Sequence, residues 1–96
     1  MVERRVVVVN RLGLHARAAA RLVRAAHGFR STVRLERADR AAAADAKSLL
    51  SVLLLAASRG TELVATADGA DEEEALKAVC ELIESGFGEM EEVGAR

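Results

Sequence analysis

Apolar positions open the chain as one unbroken block and then fall into helical spacing. Val6-Val7-Val8-Val9 follow Val2-Glu3-Arg4-Arg5, and β-branched residues without alternation predict a strand over 2–9 with both faces largely covered, or one central to a sheet. From Ala16 to about His27, Ala19, Leu22, Val23 and Ala26 recur three and four residues apart as a buried helical stripe, and Gly28 supplies the stop. Ser31 to Arg37 alternates, with Val33 and Leu35 on one side and Arg34 and Glu36 on the other, as in a half-exposed strand. Leu49 to Ala57 is a dense apolar run, which Ser48 is placed to cap as a helix. Thr61 to Ala67 reads as a further strand. Asp71 and Glu74 fit a capping box for a last helix whose stripe is Ala75, Leu76, Val79, Leu82 and Ile83. Ser85-Gly86 ends that helix, and Phe87 is expected to fold back onto the core. Residues 1–88 thus form one domain, and 89–96 a polar, frayed tail.

Composition narrows the classes. At 96 residues the chain is one small domain with little room for a cofactor-sized pocket. Tyrosine and tryptophan are absent and only Phe29 and Phe87 are aromatic, so the core must be aliphatic. Cys80 is the single cysteine; it lies on a helical apolar pattern and reads as packing, while an internal disulfide is impossible and a zinc site lacks ligands. No cofactor and no metal are expected. Neither a signal peptide nor an apolar run of membrane-spanning length is visible, which gives the expectation of a cytoplasmic protein without membrane contact; a monomer is expected. The formal charge is −1, but residues 1–45 carry ten arginines against four acids and the remainder four bases against eleven acids. Such asymmetry suggests a basic face for an acidic partner, or simply solvated surface.

The chemistry concentrates at Asn10-Arg11-Leu12-Gly13-Leu14-His15-Ala16-Arg17. His15 stands at a helix start, where unpaired backbone N–H groups and the helix dipole favour an anion. A neutral imidazole there can attack as a nucleophile, and a phosphoryl group it carried would lie over those N–H groups beside the Arg17 guanidinium. Arg21 and Arg24 continue the ridge that begins at Arg17 and are read either as partner-docking residues or as plain helix surface. His27, in the last helical turn, is explained by the dipole and receives no catalytic role.

These residues resemble the active-site signature of HPr, the histidine-containing phosphocarrier family of the phosphoenolpyruvate-dependent phosphotransferase system. Lys47-Ser48-Leu49-Leu50-Ser51-Val52-Leu53 resembles that family's regulatory-serine segment, and Ala67 to Leu76 the start of its last helix. The chain departs at Ala18, where the family usually has proline; alanine is itself a good helix former, so the helix start is expected to survive. The resemblance implies an α+β fold, a two-layer open-faced sandwich in which a four-stranded antiparallel sheet is covered on one face by three helices (βαββαβα). It also implies a short strand near Ala41 to Ala44, which alanine propensity alone would not suggest.

What the resemblance implies about function is a carrier and not an enzyme. His15 would take a phosphoryl group on Nδ1 from phospho-enzyme I and pass it to an EIIA-type domain, stabilised by the N–H groups of Ala16 and Arg17 and by the Arg17 side chain. Ser48 matches the serine modified by the family's HPr kinase; in the plainer reading it is only a cap. Candidate docking residues are Leu14, Arg21, Arg24, Lys47, Leu49, Leu50, Val52 and Leu53. Lys47-Ser48-Leu49 leans toward the sugar-uptake branch, whereas Ser85-Gly86-Phe87 also resembles endings in the nitrogen-related regulatory branch (NPr-type). Two rivals stand further off. A histidine enzyme would need acid–base groups and a pocket that the segment lacks, and an arginine-rich nucleic-acid module would need stacking aromatics on its strands; no nucleic-acid partner is expected.

Overall fold

A computed structural model describes residues 1–89. The elements run β1 (Val2–Val7), α1 (Ala16–His27), β2 (Thr32–Arg37), β3 (Ala43–Asp45), α2 (Leu49–Leu54), β4 (Glu62–Asp68), α3 (Glu72–Glu84) and a final single turn, Gly86–Gly88. The four strands form one antiparallel sheet in the order β1-β4-β2-β3, with helices packed on one face. The expected sandwich is the observed one.

Strand alternation sets the core. Val6, Val8, Val33, Leu35, Ala44, Leu63, Ala65 and Ala67 turn inward, and against them α1 buries Ala18, Ala19, Leu22 and Ala26, while α3 buries Ala75, Leu76, Val79, Cys80 and Ile83. Val23 and Leu82, assigned to these stripes by spacing, lie at their margins and are only partly buried. Each fully buried leucine or isoleucine contributes about 2 kcal/mol of transfer free energy. Cys80 packs among them, and burial pushes its thiol up to about 11.

Two local expectations are corrected. β1 is an edge strand, neither central nor covered on both faces: among the described residues it pairs with β4 alone, and Val7 is 43% exposed between buried Val6 and Val8. β-branched side chains favour the pleated backbone at an edge as well as in the interior, so four consecutive valines did not require double burial. Gly28 ends α1 as expected, serving as its C-cap with φ −72, an ordinary right-handed conformation. Asp71 makes no capping box, because its carboxylate instead accepts from Ser31 Oγ (2.6 Å) and from the N–H groups of Arg30 (2.9 Å) and Ser31 (2.9 Å). Those bonds, led by the Ser31 hydroxyl, hold the Asp71 carboxyl down at about 2. The strand expected near Ala41 to Ala44 is present as β3, pairing Ala44 with Leu35.

Candidate functional site

The site is assembled where the loop after β1 turns into α1. Gly13 has φ +64, and a Cβ there would lie 2.6 Å from the Ala57 carbonyl oxygen and 2.8 Å from Ser58 Cα. Only glycine permits both the left-handed backbone and this close approach. The Leu14 N–H then donates to the Ala57 oxygen (2.9 Å), which fixes the loop against the segment following α2 and delivers His15 as the N-cap of α1.

His15 caps the helix through its ring: the Arg17 N–H donates to Nδ1 (3.3 Å). A ring nitrogen that accepts carries no proton, so in the neutral imidazole the hydrogen sits on Nε2. Nε2 in turn donates to Glu89 Oε2 at 2.7 Å. This tautomer, assigned from its partners, leaves the Nδ1 lone pair at the positive end of α1. The N–H groups of Ala16, Arg17 and Ala18 have no carbonyl one turn earlier in the helix to receive them. Ala18, in place of the family's proline, is fully buried and the first turn forms regularly around it.

Glu89 is the residue that sequence reasoning missed. Assigned to the frayed tail, it is 7% exposed and closes the site, accepting from Asn10 Nδ2 (3.0 Å) with Oε1 and lying 3.7 Å from Arg17 Nε with Oε2. Burial alone would raise its carboxyl; the hydrogen bonds from Asn10 and His15, with the charges of His15 and Arg17, outweigh it and hold the group below its ordinary value. Asn10, wholly buried, also donates to the Gly13 oxygen (2.8 Å), so one amide ties the loop to the carboxylate. Nothing in the apolar periodicity marks Glu89. The one sequence signal is Phe87, which does return to the core, 1% exposed and with φ 58. Residues 90–96 of the expected tail lie outside the described residues.

The docking set divides. Leu49 and Leu50 are exposed on α2, joined by Leu54 and by Leu12 of the loop, which were not anticipated. Leu14 of the loop is buried in the core; Val52 is buried and Leu53 half-buried because α2 must spend one face on the core even though all its residues but Ser51 are apolar. Arg21 is held by the Phe87 carbonyl, and Lys47 Nζ donates to the Phe29 oxygen (2.9 Å), so both cations are engaged within the fold; Arg24 is exposed. Ser48 is the N-cap of α2, its Oγ accepting from the Ser51 N–H (3.3 Å). Among the described residues no three His, Cys, Asp or Glu side chains are grouped to hold a metal ion, and no helix is long and apolar enough to cross a membrane.

An open-faced antiparallel sandwich that offers one imidazole lone pair at a helix N-terminus, beside an arginine, defines a small carrier domain for an anionic group. The family model described as the PTS HPr component phosphorylation site matches residues 2–85. The phosphocarrier protein HPr of Cupriavidus necator is 44% identical over 91 residues, covering 95% of this chain and all of that one, and the phosphocarrier protein NPr of Proteus mirabilis is 43% identical over 86 residues, covering 90% and 94%. A crystal structure of HPr from Thermoanaerobacter tengcongensis superposes with TM-score 0.86 at 42% identity, covering 93% of this chain and 98% of that one. The chain belongs to the HPr family: it is an HPr/NPr phosphocarrier of the phosphotransferase system.

Proposed function

We propose that His15 is the phosphoacceptor, taking the phosphoryl group on Nδ1 from phospho-enzyme I and passing it to an EIIA-type domain, with the chain acting as a monomer and not as a catalyst. The observation that carries this reading is the ring's hydrogen-bond pattern: Nδ1 accepts and Nε2 donates, so the unprotonated nitrogen faces the helix N-terminus. A phosphoryl group bonded there displaces the weak Arg17 N–H contact and gains first-turn N–H groups in exchange. Arg17, 61% exposed, is able to swing onto the phosphoryl oxygens. Leu49 and Leu50, with Arg24, form the surface through which partners dock. In line with that role, Ser48 serves as a second, regulatory phosphorylation site on the same face, where added negative charge would weaken contact with an acidic partner.

The sugar-uptake branch is favoured by Lys47-Ser48-Leu49. The nitrogen-related branch stands as the second reading because identity to the Proteus NPr matches that to HPr proteins. Intact-mass measurement with phosphoenolpyruvate, magnesium and enzyme I of either branch tests both. One acid-labile phosphate on the parent and none on His15→Ala supports the acceptor, and the enzyme I that reacts faster assigns the branch. No phosphate with either enzyme I overturns the reading. The nucleic-acid alternative finds no support, since Phe87 is buried and Phe29 packs against the core, leaving no stacking surface.

A further inference from the structure

We infer that Glu89 is a positioning residue for phosphoryl transfer, holding the proton on Nε2 of His15 so that Nδ1 is the nitrogen that bonds phosphorus; this rests on the reading of His15 as acceptor. The carboxylate is not a loose surface group. Gly86 and Gly88, at φ 72 and 77, turn the chain back after α3, Phe87 is sunk into the core, and the Arg21 guanidinium grips the Phe87 carbonyl. Asn10 Nδ2 then fixes Oε1 at 3.0 Å, which leaves Oε2 for the ring at 2.7 Å. Both the backbone and the far oxygen are pinned before the histidine is reached.

The chemistry gives that contact a task. As the Nδ1 lone pair bonds to phosphorus, the donor's phosphorus–nitrogen bond breaks and its electron pair returns to the donor ring. The proton stays on Nε2, so the His15 ring becomes cationic, and Glu89 lies against the nitrogen that carries it. In the onward step the phosphorus–Nδ1 bond breaks and its electrons return to Nδ1. With Nε2 still protonated the leaving group is neutral imidazole; without that proton it would be an imidazolate, a far poorer one. A carboxylate that orients a reacting imidazole and fixes its tautomer is an effective device even though it touches no substrate.

Glu89→Ala and Glu89→Gln test this, the second keeping an oxygen acceptor and the side chain's shape. In the unphosphorylated parent, 1H–15N spectra should show a directly observable His15 Nε2–H, slowed in exchange by its hydrogen bond. The alanine variant should lose that signal and accept phosphate from enzyme I about tenfold more slowly, and the glutamine variant should recover the signal and part of the rate. A Nε2–H signal in Glu89→Ala like the parent's, or a parental rate in that variant, overturns the inference. If the parent itself takes no phosphate, the acceptor reading fails, while the Nε2–H signal still decides whether Glu89 holds the ring.

Discussion

Asn10 and Glu89, 79 positions apart in the chain, meet through a hydrogen bond of 3.0 Å from the asparagine amide to the glutamate. The same amide nitrogen donates to the Gly13 oxygen, so its orientation is set by two acceptors, even though its own buried Oδ1 has no partner among the described residues. Asn10→Ala therefore strips two buried acceptors at once. The expected cost is about 2 kcal/mol of stability, read by urea unfolding, together with loss of the observable His15 Nε2–H. A variant as stable as the parent would show that the bond contributes nothing.

Gly13→Ala meets two obstacles together, a left-handed backbone and the carbonyl oxygen of Ala57 at 2.6 Å. Roughly 2–3 kcal/mol of destabilisation is expected. Gly60→Ala is the control: its φ of +91 is also left-handed but its Cβ would meet nothing within 4 Å. It should lose less, so a comparison of the two midpoints isolates the steric part.

Asp71 supplies a pH dependence whose sign is fixed. Its hydrogen bonds hold the folded carboxyl down at about 2, below the ordinary aspartate value of 3.8, so the unfolded chain binds the proton first as acid is added. Its contribution is complete above about pH 4 and is lost as pH falls toward 2. In Asp71→Asn the melting temperature should be lower at neutral pH, and the gap from the parent should narrow across that acidic window; a constant gap would refute the assignment.

Ser48→Ala removes the side-chain cap of a six-residue helix. A loss of about 1 kcal/mol is expected, with phosphate acceptance at His15 unchanged in the mass assay. Slower acceptance without any added charge would place Ser48 in the encounter surface directly.

Leu50, 66% exposed on α2, makes the complementary case. Leu50→Glu should leave the melting temperature within about 1 °C, since surface changes are usually near neutral, while raising the KM of enzyme I for this protein several-fold. An unchanged KM would remove α2 from the docking face.

Much of this molecule was legible in its residues because period and burial coincide in most elements. Leu22 and Ala26 in α1, and Val33 and Leu35 in β2, point inward as their spacing requires. Where reading failed, a long-range contact had displaced a local rule. Asp71 had the spacing of a capping box, but Ser31, 40 residues earlier, captured its carboxylate. β3 consists of two alanines and an aspartate and is a strand only because β2 is there to pair with it. In the candidate site, His15, Arg17 and Gly13 were visible from helix-start chemistry. Glu89 was not, since a polar residue beyond the last stripe carries no periodic signature, and its burial depends on the left-handed turn through Phe87.

That turn also bears on where a minimal version of this protein should be cut. The region matched by the family model stops at residue 85, a point at which β1–β4 and α1–α3 are already complete. A fragment trimmed there would hold every residue of those elements and still be a different object, lacking the phenylalanine that fills its interior and the carboxylate that meets the far nitrogen of the imidazole. The unit that shapes the histidine is thus four residues longer than the region the family model matches.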